Sequence, residues 1–96
     1  MSSLTEIDDL TALSDAELDL LLSRLESEER TVSKRRSSRH DQMDFVQAGG
    51  FAAAGEADEA LARLRAEEHD LSSRRHMLHL QIDKIRAERS RRRVQP

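Results

Sequence analysis

Proline occurs once in this 96-residue chain, at position 96, and glycine only at positions 49, 50 and 55. These are the residues that interrupt helices, so two long stretches, 14–48 and 56–93, contain nothing that stops one. Between them, Ala48-Gly49-Gly50-Phe51-Ala52-Ala53-Ala54-Gly55 supplies the candidate turn, with Gly49 or Gly50 suited to the left-handed position that ends a helix. Ser14-Asp15-Ala16-Glu17 has the S-x-x-E form of a capping box and marks a helix start. Leu18, Leu22 and Leu25 follow at helical spacing. On the second stretch Leu61, Leu64, Leu71, Leu78, Ile82 and Ile85, with Glu68 and Arg75, make an unbroken heptad alternation. The pattern predicts an all-α chain, an antiparallel two-helix coiled-coil hairpin with a flexible or short-helical N-terminal arm. Its parts are the arm 1–13, helix 14–48, turn 49–55, helix 56–93 and tail 94–96. In the arm, Leu4, Ile7 and Leu10 have the spacing of one amphipathic turn.

A hairpin has one interface and little depth, and the composition agrees: charged residues make up 36% of the chain and only Phe45 and Phe51 are aromatic. Such a fold gains stability from a ligand, a partner or a second copy. There is no cysteine, which excludes disulfides and Cys-based zinc sites. No apolar run approaches the roughly 20 residues of a membrane span. The acidic start, MSSLTEIDD, lacks the basic-then-apolar order of a signal peptide, so a cytoplasmic protein is expected. Net charge is −3, with early acids and a basic end, RAERSRRRVQP. That end carries no interleaved aromatics and reads as a solvated helix terminus rather than a surface for a nucleic-acid polymer.

Residues 28–44, EERTVSKRRSSRHDQMD, return 39 positions later at 67–83 as EEHDLSSRRHMLHLQID. Eight of the seventeen positions are identical and all eight are polar, whereas the apolar positions are only exchanged for similar residues. At about 100° per residue, Glu29, Ser33, Arg36, His40 and Asp44 fall within an arc of about 80° beside the apolar seam. Glu68, Ser72, Arg75, His79 and Asp83 do the same on the second helix. One such stretch is ordinarily solvated surface or a set of register-fixing ion pairs. Two copies with the same order of residue types call for more, because any opposite charges would fix a register. Glu28, Glu67, Arg35 and Arg74 are identical but off the stripe, as flanking charges; Gln42 and Gln81 point away from it.

If the turn centres near residues 51 and 52, residue i faces approximately residue 103 − i. The Glu-Ser-Arg parts then overlap, with Arg36 near Glu67 and Glu68 and Arg75 near Glu28 and Glu29, while His and Asp run outward in opposite directions. The result is a polar site of approximate twofold symmetry. Its chemistry suits a guanine nucleotide: an arginine fork matches O6 and N7, and a carboxylate accepts from N1–H and the exocyclic amine. Serine and histidine can serve phosphate oxygens or stack on a base. A Gly-rich phosphate loop is absent, which excludes a Walker-type site.

At this spacing the chain resembles the RsiG family, actinobacterial anti-sigma factors also described as aerial-mycelium-formation proteins. The family signature is E-x3-S-x2-R-x3-Q-x3-D on a coiled-coil hairpin. Four of its five positions are met twice, by Glu29, Ser33, Arg36 and Asp44 and by Glu68, Ser72, Arg75 and Asp83. His40 and His79 stand where the family has Gln, the same change in both copies. The resemblance covers residues 12–90 and includes ALSDAELDLLLSRLESEER and QIDKIRAE. It implies cyclic di-GMP as regulatory ligand, typically an intercalated dimer held by the ten stripe residues, and sequestration of a WhiG-type sigma factor by the liganded hairpin.

The competing expectation is a ligand-independent coiled-coil adaptor or assembly module. An enzyme is not expected, since no nucleophile stands beside a base and no metal signature is present. His76 and His79, at i,i+3 with His69 one face away, read as surface residues rather than metal ligands.

Overall fold

A computed structural model of the protein describes residues 9–50 and 54–94. These residues are all-helical: a 3-10 helix at Leu10–Ala12, α1 at Asp15–Gln47 and α2 at Ala54–Val94, with no strand among them. The two long helices pack against each other as an antiparallel hairpin. Among the described residues no helix is long and apolar enough to cross a membrane.

The capping box forms at the head of α1. The Glu17 backbone N–H donates to the Ser14 hydroxyl at 3.1 Å, and the Ser14 N–H donates to the Glu17 carboxylate at 3.0 Å. Two donors that the first helical turn leaves unpaired are thereby satisfied reciprocally. At the other end Gly49 adopts φ +94°. Its N–H donates to the Val46 carbonyl at 3.1 Å, and the Gly50 N–H donates to that of Phe45 at 3.0 Å. This pair of bonds is a Schellman motif, which requires a left-handed residue at position 49. A Cβ on Gly50 would collide with the Phe45 ring.

Contacts divide the described residues into two compact units, those within 31–75 and those of 9–30 with 76–94. In the first, Val46, Ala60 and Leu64 are buried together, with Met43, Ala57 and Leu61 packed against them. In the second, Leu18, Leu22 and Leu25 of α1 and Leu78, Ile82 and Ile85 of α2 are buried. Leu64, Leu78, Ile82 and Ile85 come from the seam that the heptad spacing marks on α2, whereas the buried Ala60 lies off it and Leu61 and Leu71 are only partly buried.

The second unit also holds the end of the N-terminal arm. Leu10 is buried. The Arg92 guanidinium donates to the Leu10 and Leu13 carbonyls at 3.0 and 2.7 Å, to Asp15 at 2.8 Å and to Glu88 at 2.8 Å. Glu88, only 9% exposed, also accepts from Arg91. Those hydrogen bonds, from Arg91 and then Arg92, hold its carboxyl at about 2 against an ordinary 4.5. Arg89 pairs with Asp19 and Arg86 with Glu26. The basic end is a largely exposed helix terminus, as expected, in which Arg86, Arg89, Arg91 and Arg92 also pair with acids of their own chain. The expected short-helical arm is met by the 3-10 helix at Leu10–Ala12, which Arg92 ties down; Leu4 and Ile7 lie outside the described residues.

Candidate functional site

In the unit of residues 31–75, motif residues of both copies meet. The Arg36 Nε–H donates to Glu68 Oε1 at 2.8 Å and to Ser72 Oγ at 2.9 Å. The Ser72 hydroxyl donates to the same Glu68 oxygen at 2.6 Å. His40 Nε2 lies 3.4 Å from that oxygen. Reciprocally, the Arg75 Nε–H donates to Ser33 Oγ at 3.2 Å. In the other unit, His79 Nε2 lies 3.6 Å from Glu29 Oε2. There Glu26, Glu29, Arg30, His79, Ile82, Asp83 and Arg86 line an open pocket of about 200 Å³, small beside the roughly 300–1,000 Å³ of an enclosed small-molecule site.

The residue numbers of four of these pairs, 36 with 72, 33 with 75, 40 with 68 and 29 with 79, each sum to 108. The expected approach of Arg36 to Glu68 is met at 2.8 Å, while the register of 103 is corrected by about five residues at the other four pairs. The apolar lock explains the difference. Val46 packs with Ala60 and Leu64, pairs whose numbers sum to 106 and 110 and so bracket 108. On α2 the residues that pack against Val46 and Met43 are Ala57, Ala60, Leu61 and Leu64.

This register changes the fate of the histidines. They do not run outward beside the aspartates; each faces the motif glutamate of the opposite copy. Glu29, Ser33 and Arg36 are half-buried, as are Glu68, Ser72 and Arg75, while His40, Asp44, His79 and Asp83 are exposed. The Asp44 carboxylate makes no hydrogen bond or ion pair among the described residues, and Asp83 lines the pocket beside Glu29 and His79.

Arg36 and Glu68 keep unused valence. The Arg36 bonds to other described residues all leave from Nε, and Glu68 receives all of its partners on Oε1. The terminal guanidinium edge and Glu68 Oε2 therefore have no partner among the described residues. The two are donor and acceptor edges of the kind that read a purine face bidentately.

The Ser72 hydroxyl and then the Arg36 guanidinium hold the Glu68 carboxyl at about 2, against an ordinary 4.5. A carboxyl depressed on folding contributes stability that is fully present above its unfolded value and lost as pH falls through its folded one. Glu68 and Glu88 both place that window between about 4.5 and about 2. Thermal melts followed by circular dichroism are expected to show the melting temperature falling across this window. In Glu68→Gln/Glu88→Gln the acid-side fall should be shallower; equal slopes would contradict the assignment.

Two participants escape the repeat comparison. Glu67, expected as a flanking charge, pairs with Arg39 at 2.9 Å; the repeat equivalent of Arg39 is Leu78, so duplication gives no sign of it. Gln81, expected to point away without a role, is 7% exposed and its amide nitrogen has no hydrogen-bond partner among the described residues. Among the described residues no group of three or more His, Asp and Glu is arranged to hold a metal ion. Comparison with known proteins finds no matching family, no matching curated protein and no matching solved structure.

Proposed function

We propose that this chain is a ligand-gated regulatory protein of the RsiG type. It binds cyclic di-GMP through its duplicated motif and, when liganded, sequesters a WhiG-type sigma factor in the cytoplasm. The observation that carries this proposal is the Arg36-Ser72-Glu68 group, which joins residues of both motif copies. Nε and Oε1 bond to each other and to Ser72, which orients the guanidinium and the carboxylate and leaves their outer edges to meet a guanine. Arg36 is 38% exposed on its side chain, so its pairing with Glu68 is screened by water and yields to a better-matched ligand. A nucleotide resting on both arms would favour the paired state of the hairpin over alternatives, which is the physical content of gating.

Isothermal titration calorimetry with cyclic di-GMP tests the proposal. Wild type is expected to bind in the micromolar range or tighter, and Arg36→Ala/Arg75→Ala to show no binding. Absence of heat at tens of micromolar ligand, with the two proteins indistinguishable, rejects it.

A specific observation favours a second reading, a ligand-independent coiled-coil adaptor. Arg36–Glu68 and Arg39–Glu67 are ion pairs within the protein itself, as register-fixing charges would be. An adaptor melts at a temperature that depends on protein concentration and is indifferent to nucleotide. A receptor is stabilised by about 2.7 kcal/mol when free ligand reaches a hundred times its Kd.

A further inference from the structure

We infer that Arg30, which stands outside the motif, is a further ligand-binding residue and takes a phosphate oxygen of the nucleotide. This rests on the cyclic dinucleotide reading above and adds a contact that the signature does not contain. Arg30 lines the open pocket of about 200 Å³ together with the motif residues Glu29, His79 and Asp83. The whole lining of that pocket belongs to the unit of residues 9–30 with 76–94. Duplication gives no sign of Arg30, because the residue 39 positions on is His69.

Two opposite charges in this pocket stay apart. The Arg30 guanidinium and the Asp83 carboxylate both line it, yet neither has a hydrogen bond or an ion pair among the described residues. Each has an opposite charge at pairing distance on its own helix: Glu26 stands four residues before Arg30, and Arg86 three residues after Asp83. Those intrahelical pairs do not close, because Glu26 and Arg86 are bonded to each other. The Arg86 Nη2–H donates to Glu26 Oε2 across the two helices at 2.7 Å. This cross-helix pair leaves Arg30 and Asp83 open to a third party.

The motif itself brings acids to the pocket, Glu29 and Asp83, and His79 lies with its Nε2 3.6 Å from Glu29. The cations are Arg30 and Arg86, and Arg86 is already taken. Arg30 is therefore the guanidinium that this pocket can offer to an anion. A guanidinium fork meets two phosphate oxygens with parallel N–H bonds, and a carboxylate accepts from the exocyclic amine of guanine. Ile82, only 6% exposed, gives the pocket an apolar patch against which a base can rest. A nucleotide carries all three complements, whereas a simple anion would leave Asp83 unmatched. Elsewhere in the same unit Arg24, Lys84 and Arg93 also lack a partner among the described residues, but none of them lines this pocket.

The test is calorimetry with cyclic di-GMP on wild type, Arg30→Ala and Arg24→Ala, with helicity checked by circular dichroism. Arg30 and Arg24 are both exposed on α1, so neither substitution should unfold the protein, and both remove the same charge. Arg30→Ala is expected to raise Kd about tenfold or more, the loss of one charge-assisted contact. Arg24→Ala should stay within about twofold of wild type. Between about 50 and about 300 mM salt, wild-type Kd should rise more steeply than that of Arg30→Ala, because a contact between charges is screened and its absence is not. An Arg30→Ala protein that binds like wild type overturns the inference, as does an equal loss in Arg24→Ala or an equal salt response in Arg30→Ala and wild type; each leaves the nucleotide reading standing. No heat from wild type at tens of micromolar ligand rejects the nucleotide reading, and this inference with it.

Discussion

Leu25→Ala is expected to lower the melting temperature of the hairpin by roughly 10–30 °C and to leave part of the population unfolded at 37 °C. Leu25 has no exposed surface, and with Leu18, Leu78 and Ile85 it belongs to the largest fully buried side chains. Truncating a buried leucine removes its transfer free energy and leaves a cavity, together about 2–5 kcal/mol. In a protein of several layers that loss is absorbed. Two helices with one interface have no second layer to collapse into the gap, so the loss is expected toward the upper end of the range. Leu20, on the same helix but 55% exposed, is the control: Leu20→Ala should change stability by less than about 0.5 kcal/mol. Thermal and urea unfolding by circular dichroism would read both. If the two variants melt together, the packing of α1 on α2 is not what holds this chain.

Much of the fold is legible in the sequence because it depends on local chemistry. Ser14 and Glu17 cap whatever helix follows them, and only glycine can stand at position 49 without strain. The heptad spacing likewise marks which face is buried. What spacing cannot supply is the axial offset of one helix along the other, since a slide that keeps apolar residues on apolar residues preserves the pattern. The offset here is decided by Val46 against Ala60 and Leu64, a few contacts with no signature of their own. The five-residue correction then turns two histidines from outlying residues into neighbours of Glu29 and Glu68. Side chain-to-backbone contacts are equally silent. That Arg92 would reach the Leu10 and Leu13 carbonyls follows from no residue type, because every residue offers a carbonyl. The polar identities of the repeat, by contrast, point directly to Glu68, Ser72 and Arg36, which form one hydrogen-bonded group.

Gln42 and Gln81 are the same residue at the same place in the repeat, and they should respond oppositely to the same substitution. Gln81 stands three residues after Leu78 and four before Ile85, both essentially without exposed surface. It shares their face of α2 and is buried with them. Gln42 has Arg39 and Val46 at those spacings and stays exposed. The Gln81 amide nitrogen is buried without a partner among the described residues, a cost of about 1–3 kcal/mol. Gln81→Leu removes that cost and keeps a side chain of similar volume, so it is expected to raise the melting temperature by about 4–8 °C for each kcal/mol recovered. Gln42→Leu should leave it unchanged within about 0.5 kcal/mol. A melting temperature that falls or stands still in Gln81→Leu would mean that the amide is satisfied in solution. The repeat equivalence of the two glutamines would then extend to their surroundings, contrary to the asymmetry that Leu78 and Arg39 impose.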